Sequence, residues 1–341
     1  MTRIRIADHL TDTEVATVLE IVRLAAEEDG VAPLSEHVML HLRYGGDRQA
    51  RNFMLRTGAE GDRTDAHLVG YAHLDPTDPV EGPSGELVIH PAHRRHGFGL
   101  ALVQALAAEA GERQLRLWAH GDLPAATRLA AAAGFQRVRA LWQMRRSLQA
   151  RLGRPQFAPG ICVRTFEVGR DEQAWTELNA RAFARHPEQG AWTRADLDLR
   201  EREPWFDPAG FFLAERDRRL VGFHWTKIHG RDGEPQPDDL PEHEADADHA
   251  DPGGVGQAEG PHHPHQALGE VYVVGVDPDE RGTGLGRALT LVGLQYLRSR
   301  GLFQVMLYVD ETNMPAIGLY ESLGFTHWDT DVMFARPGHG R

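Results

Sequence analysis

Apolar and polar positions along the 341-residue chain run through one order of elements and then through a similar order again. Residues 3–6 alternate as a short strand, Thr11 or Asp12 can cap a helix through Ala25, and Ser35 can cap another through Arg43. Strands are predicted near 51–56, 67–74 and 86–90. A glycine turn, a helix to about Ala110, a strand over 115–118 and a helix over 124–133 stopped by Gly134 follow. After a Pro-bearing linker at 147–160, strands are predicted at 161–164, 211–216 and 220–228, with helices at about 171–184 and 193–201 between the first two. The last passage is a strand at 270–274, a helix to about Arg300, a strand at 303–309, a helix at 315–322 and a strand at 328–335. This pattern is a mixed α/β (α+β) fold written twice: a first domain over 1–146 and a second over 161–341.

The repeat is sharpest at two turns. Arg94-Arg95-His96-Gly97-Phe98-Gly99 and Arg281-Gly282-Thr283-Gly284-Leu285-Gly286 each follow an apolar run ending in a residue-Pro pair, Leu87-Val88-Ile89-His90-Pro91 and Val273-Val274-Gly275-Val276-Asp277-Pro278. Gly97 and Gly284 lie 187 positions apart, and Gly134-Phe135 and Gly324-Phe325 lie 190 apart, so a whole unit is duplicated rather than a short motif. Strand, glycine-rich turn and helix together make a cradle for phosphate, because helix-start N–H groups point at the anion. Arg281 and Arg287, with Arg94 and Arg95 in the first copy, can add positive charge. The turns come in mid-domain, after several strands, which argues against a dinucleotide fold, and they lack the Gly-Lys-Ser/Thr of a nucleotide hydrolase loop.

Composition narrows the function classes. With 37 Lys+Arg against 50 Asp+Glu the formal net charge is −13, which disfavours a sequence-blind nucleic-acid binder. The single cysteine, Cys162, cannot form an intrachain disulfide, and no apolar stretch approaches the roughly 20 residues of a membrane span. A cytoplasmic monomer acting on a small molecule, with no membrane or nucleic-acid partner, is therefore expected. Residues 230–266 hold many Asp, Glu, His, Pro and Gly and almost no large apolar side chain, so a mobile loop is expected there. Its His262, His263 and His265 lack framed ligand spacing, and no metal requirement is expected. Trp118 and Trp142 sit in apolar strand contexts and read as core.

Arg-x-x-Gly-x-Gly/Ala after a strand, followed by Asn313-Met314-Pro315-Ala316-Ile317-Gly318-Leu319-Tyr320 and then Gly324-Phe325, resembles the GNAT superfamily of N-acetyltransferases. The resemblance implies acetyl-CoA as co-substrate, held in the second half at Val274, Gly275, Val276, at Arg281, Gly282, Thr283, Gly284, Leu285, Gly286, Arg287, and at Asn313, Met314, Pro315, Ala316, Ile317, Gly318. It implies a second contact in the first half at Leu87, Val88, Ile89 and at Arg95, His96, Gly97, Phe98, Gly99, Leu100. The strand before the cradle is expected to bulge and splay from its neighbour, and Gly275 fits such a bulge; the alternative is a glycine that merely allows close packing.

Acetyl transfer to an amine needs a base, an oxyanion donor and an acid for the departing thiolate. Tyr320 stands where the superfamily commonly places the acid, and Glu270, on the strand leading to the thioester, is the candidate base, acting directly or through a water. In the first copy Tyr320, Asn313 and Tyr308 are matched by Ala130, Leu123 and Trp118, so that domain is expected to keep a cradle and lack the chemistry. Beyond the cradle, His186-Pro187-Glu188-Gln189-Gly190, Phe223-His224-Trp225-Thr226-Lys227 and Gly269-Glu270-Val271-Tyr272-Val273-Val274-Gly275-Val276 resemble tandem GNAT enzymes that acetylate the cysteinyl amine of a glucosaminyl-inositol, Cys-GlcN-Ins. That resemblance implies an acceptor held by Glu36, Glu188, Lys227, Glu270 and Tyr308. The chain departs from the pattern in its long acidic and histidine-rich segment before Glu270. An enzyme acetylating another amine, or a non-enzymatic acyl-CoA sensor, remains open from the residues alone.

Overall fold

A computed structural model describes residues 2–45, 49–58, 67–78, 81–184, 187–230 and 267–336, and the side chains of Pro187 and Glu188 lie outside that description. The first half runs β1 (Thr2–Ala7), α1 (Asp12–Asp29), α2 (Glu36–Tyr44), β2 (Arg51–Thr57), β3 (His67–Asp75), β4 (Ser84–Ile89), α3 (Phe98–Ala110), β5 (Arg116–Ala119), α4 (Pro124–Ala132) and β6 (Gln136–Ser147). The second runs β7 (Ile161–Thr165), α5 (Glu172–Ala182), α6 (Pro187–Gly190), α7 (Arg194–Arg200), β8 (Phe211–Arg216), β9 (Arg219–His229), β10 (Leu268–Val276), α8 (Leu285–Ser299), β11 (Gln304–Asp310), α9 (Met314–Ser322) and β12 (Thr326–Ala335). The caps are those the composition predicts: the Thr11 hydroxyl and Glu14 form a capping box on α1, and the Ser35 hydroxyl accepts from Val38 N at the start of α2. The acidic and histidine-rich segment falls on 231–266, outside the described residues.

Among the described residues twelve strands form one sheet, in the order β1-β2-β3-β4-β5-β12-β6-β11-β10-β9-β8-β7. The two halves exchange their last strands. β6, from the first half, pairs antiparallel with β11 over Gln304↔Ser147 to Asp310↔Leu141, and β12, from the end of the chain, pairs with β5 over Val332↔Ala119 to Ala335↔Arg116. The exchange is reciprocal in packing as well. Met144, Leu148 and Leu152 are buried with α8 and β11 residues, while Val332 and Phe334 are buried among β2, β3 and α3 residues of the first half. Each half would otherwise leave an open strand edge at β5 or β11, and pairing crosswise closes both.

Sequence periodicity does not predict β6 as a strand. Gln136-Arg137-Val138-Arg139-Ala140-Leu141-Trp142-Gln143-Met144-Arg145-Arg146 is too polar on both faces for a buried strand, yet Gln143, Arg145 and Arg146 are buried. Their polar atoms are satisfied locally: Arg145 Nε donates to Gln143 Oε1, and an Arg146 guanidinium N–H donates to the carbonyl of Leu323. Trp118 and Trp142 are half-buried; Trp142 packs against the core of the second half with His327 beside it, whereas Trp118 lies outside the core clusters with Arg139 over its ring.

In each half the two parallel central strands pair only at their starts. β4 and β5 meet at Ser84↔Arg116 and Gly85↔Leu117, and β10 and β11 at Gly269↔Val305 and Glu270↔Met306. Beyond those pairs each couple splays, leaving one backbone edge of β4 and of β10 without a ladder partner among the described residues.

The expected bulge exists but lies elsewhere. The β9–β10 register shifts between Val271 and Val273, which makes Tyr272 the extra residue, whereas Gly275 sits in regular register with Phe223. Gly275 is glycine for packing: a Cβ there would stand 2.4 Å from Phe223 Cε1. Gly275→Ala should therefore cost about 1–3 kcal/mol through overpacking, read as a fall in Tm. An unchanged Tm would contradict this placement.

Candidate active site

The two glycine turns have the same backbone. Gly97 (φ 81°) and Gly284 (φ 85°) are left-handed N-caps of α3 and α8, neither helix start carries a side-chain cap, and a Cβ at either position would meet nothing within 4 Å. The first-turn N–H groups of both helices thus face open space with the positive end of the helix behind them. One turn earlier the copies differ: Gly282 (φ 78°) is matched by Arg95 (φ 68°), so the first cradle holds a non-glycine residue in the left-handed region at a cost the second avoids.

The arginines do not all serve the cradles. Arg94 forms a two-pronged ion pair with Asp29, at 2.5 and 2.7 Å, which corrects its expected role as a phosphate contact. Arg281 donates to Ala182 O and Arg287 to the Ser322 hydroxyl, both while exposed at the mouth of the second cradle. Thr283 donates its hydroxyl to Glu280 O. Leu285, Val88 and Ile317 turn their side chains into the core, so they offer a ligand their backbone alone. Asn313 caps α9, accepting from Ala316 N, and leaves Met314, Pro315 and Gly318 exposed on the helix start. Together the unpaired edge of β10, the open start of α8 and the exposed start of α9 fit an extended ligand ending in phosphates.

The acceptor candidates meet at the seam between the halves. Glu36, the first residue of α2, reaches across so that Lys227 Nζ on β9 lies 2.7 Å from its Oε1. Tyr272, at the bulge, donates its hydroxyl to the other carboxylate oxygen while accepting from Arg200 Nε at 2.7 Å. Arg43 of α2 adds a second crossing to buried Glu203 at 3.1 Å. Lys227 and Arg200 are each backed by tryptophan: Lys227 Nζ stands 4.5 Å from the Trp205 ring centre and Arg200 Cζ stands 3.8 Å from that of Trp192. Burial alone would raise the Glu36 pKa, but Lys227, Arg200 and the two hydrogen bonds outweigh it and hold the carboxyl down at about 2.

That depression has a sign that can be measured. A carboxyl held at about 2 in the folded chain and near its ordinary 4.5 when unfolded stabilises the fold above pH 4.5, by about 3 kcal/mol, and loses that contribution as the pH falls from 4.5 towards 2. The stability gap between wild type and Glu36→Gln in urea unfolding should therefore shrink over that interval. A gap independent of pH would refute the cross-seam pairing.

Glu270 is directly opposite Lys227 in the β9–β10 register and is buried at the vertex where β10 leaves β11. Its Oε2 lies 2.8 Å from His229 Nε2. Tyr308, on β11, accepts from Gln143 Nε2 at 3.0 Å. Tyr320 packs edge-on against Phe325, with ring centres 5.8 Å apart; burial pushes its phenol up to about 12, so it is a proton donor at neutral pH. Among the described residues its hydroxyl makes no protein hydrogen bond. Glu188 belongs to the four-residue α6, and its side chain is outside the described residues.

Tyr272, Arg200, His229 and Gln143 escape the sequence reading. Period-two alternation does pair His229 with Lys227 and Tyr272 with Glu270, so two of them were within its reach. Arg200 sits on a seven-residue helix and Gln143 on an unforeseen strand, with no signal of their own.

The Acetyltransferase (GNAT) family model matches residues 20–135 and 173–325. A mycothiol acetyltransferase of Acidothermus cellulolyticus is 55% identical over 337 residues, covering 98% of this chain and 95% of that protein. One from Thermobispora bispora is 54% identical over 333 residues, covering 98% and 99%. Among solved structures, a tandem GNAT protein from the clavulanic acid biosynthesis pathway aligns with a TM-score of 0.68 at 21% identity over the full length of both chains. A GCN5-related N-acetyltransferase from Sphaerobacter thermophilus gives 0.61 at 23% identity over 100% and 98%. At those identities the structural matches speak for the fold alone. With two matched GNAT regions in one chain and near-full-length relatives at over half identity, the protein belongs to the GNAT acetyltransferase family, among its tandem-domain mycothiol acetyltransferases.

Proposed function

We propose that this N-acetyltransferase moves the acetyl group of acetyl-CoA to the cysteinyl amine of Cys-GlcN-Ins, giving mycothiol and CoA, and that the second half performs the chemistry. The observation that carries the reading is the cross-seam cluster of Glu36, Lys227 and Tyr272 beside the vertex carboxylate Glu270. The relatives, mycothiol acetyltransferases, support mycothiol as the product.

Acetyl-CoA supplies the thioester, and the rest falls to this chain. Carboxylates and hydroxyls of Glu36, Glu188, Glu270 and Tyr308, with Lys227 Nζ, suit a polyhydroxylated acceptor bearing an ammonium. Glu270 takes a proton from that ammonium, leaving a neutral nitrogen to attack the carbonyl carbon. The N–H groups of Val274 and Val276, which alternate with that of Gly275 and so turn away from β9, receive the developing oxyanion. As the carbon–sulfur bond breaks, Tyr320 gives its proton to the departing thiolate.

The first half keeps a cradle at Leu87–Ile89 and Arg95–Leu100 that can hold a second acetyl-CoA, but it lacks the chemistry. Ala130, Leu123 and Trp118 stand where the second half has Tyr320, Asn313 and Tyr308. The enzyme acts as a cytoplasmic monomer; among the described residues no helix is long and apolar enough to cross a membrane.

Purified protein with acetyl-CoA and an amine panel tests the reading through thiol release and acetylated product. Cys-GlcN-Ins should be the preferred acceptor. Turnover with GlcN-Ins lacking the cysteine, and none with the cysteinyl compound, would overturn it.

A further inference from the structure

Strand β6 brings two buried polar side chains from the first half onto the floor of the seam. Gln143 and Arg145 are two residues apart and so share a face, and the register sets Gln143 opposite Tyr308 of β11 on one side and opposite Asp329 of β12 on the other. Arg145 Nε lies 2.8 Å from Gln143 Oε1, and Gln143 Nε2 lies 3.0 Å from the Tyr308 hydroxyl.

The direction of this chain is forced. A guanidinium only donates, so the amide oxygen of Gln143 is committed to Arg145 and its NH2 must face Tyr308. The Tyr308 oxygen is thereby the acceptor, and its own proton is left to point elsewhere. Among the described residues no protein group accepts it, and Tyr308 is 40% exposed.

We infer that Gln143, oriented by Arg145, is a positioning residue that fixes Tyr308 as a hydrogen-bond donor towards the acceptor substrate. It selects an accepting oxygen there, such as a sugar or cyclitol hydroxyl or an amide carbonyl. Such directional setting by an outer partner is the logic by which a second side chain fixes which way a first one donates. The inference rests on the reading of Tyr308 as an acceptor contact.

Gln143→Glu reverses the direction with little change of size, because a carboxylate can still pair with Arg145 but takes the proton of Tyr308 for itself. The KM for Cys-GlcN-Ins should rise about tenfold, while kcat and the KM for acetyl-CoA stay within about twofold. In a Tyr308→Phe background, Gln143→Glu should add nothing, since there is no hydroxyl left to turn. Gln143→Met, which removes the amide without adding charge, should raise the acceptor KM by a smaller factor and should also add nothing behind Tyr308→Phe; it serves if the glutamate variant fails to fold. An equal rise in both backgrounds, or an unchanged acceptor KM in Gln143→Glu and Gln143→Met while Tyr308→Phe raises it, overturns the inference alone. An acceptor KM unmoved by Tyr308→Phe overturns the acceptor reading of Tyr308 and the inference with it.

Discussion

Glu270→Gln should lower kcat by about 10²- to 10⁴-fold and leave acetyl-CoA binding unchanged, the range expected when a positioned base is removed. The substitution suits the purpose because the amide keeps the shape of the carboxylate and can still accept from His229, which lies 2.8 Å from Glu270 Oε2. Tyr320→Phe removes the other half of the proton traffic. The thiolate must then leave without its donor, and kcat should fall while the ring keeps its packing against Phe325. The two losses differ in what rescues them. A more basic solution replaces the base and so offsets the loss in Glu270→Gln, whereas it does nothing for a missing acid. Pre-steady-state thiol release across pH, with equilibrium binding of acetyl-CoA alongside, checks both. Full turnover in either variant would remove that residue from the chemistry.

Much of this was legible in the chain because it depends on local rules. Cradle glycines need a left-handed backbone, and Gly97, Gly282 and Gly284 adopt it. Ser35 and Thr11 cap the helices that the apolar spacing predicts. Glu36, in a half expected to be inactive, had the weakest local support and proves to bridge the seam, because Ser35 fixes the start of α2 where its first side chain reaches Lys227.

What failed was non-local. Nothing in Gln136–Ser147 announces that it pairs with β11, 157 to 169 residues later, and a strand whose arginines are satisfied by distant carbonyls and a neighbouring amide has no alternation to read. The bulge moved from Gly275 to Tyr272 for a related reason. A glycine in a buried strand has two readings, and only the position of Phe223 across the pair decides between them.

The central claim is that one of two nearly identical cradles serves the reaction, and matched substitutions separate them. Gly284→Asp and Gly97→Asp each place a carboxylate at the start of a helix where phosphate is expected, at the same backbone angle and with no atom within 4 Å of the new Cβ. Any strain of the left-handed residue is therefore common to both variants. A fixed negative charge against a pyrophosphate in a partly desolvated cradle is worth about 3 kcal/mol, or roughly a hundredfold. Steady-state kinetics with Cys-GlcN-Ins in excess should show kcat/KM for acetyl-CoA about a hundredfold lower in Gly284→Asp and within about twofold of wild type in Gly97→Asp. Equal losses in the two variants, or the larger loss in Gly97→Asp, would contradict the assignment of the chemistry to the second half.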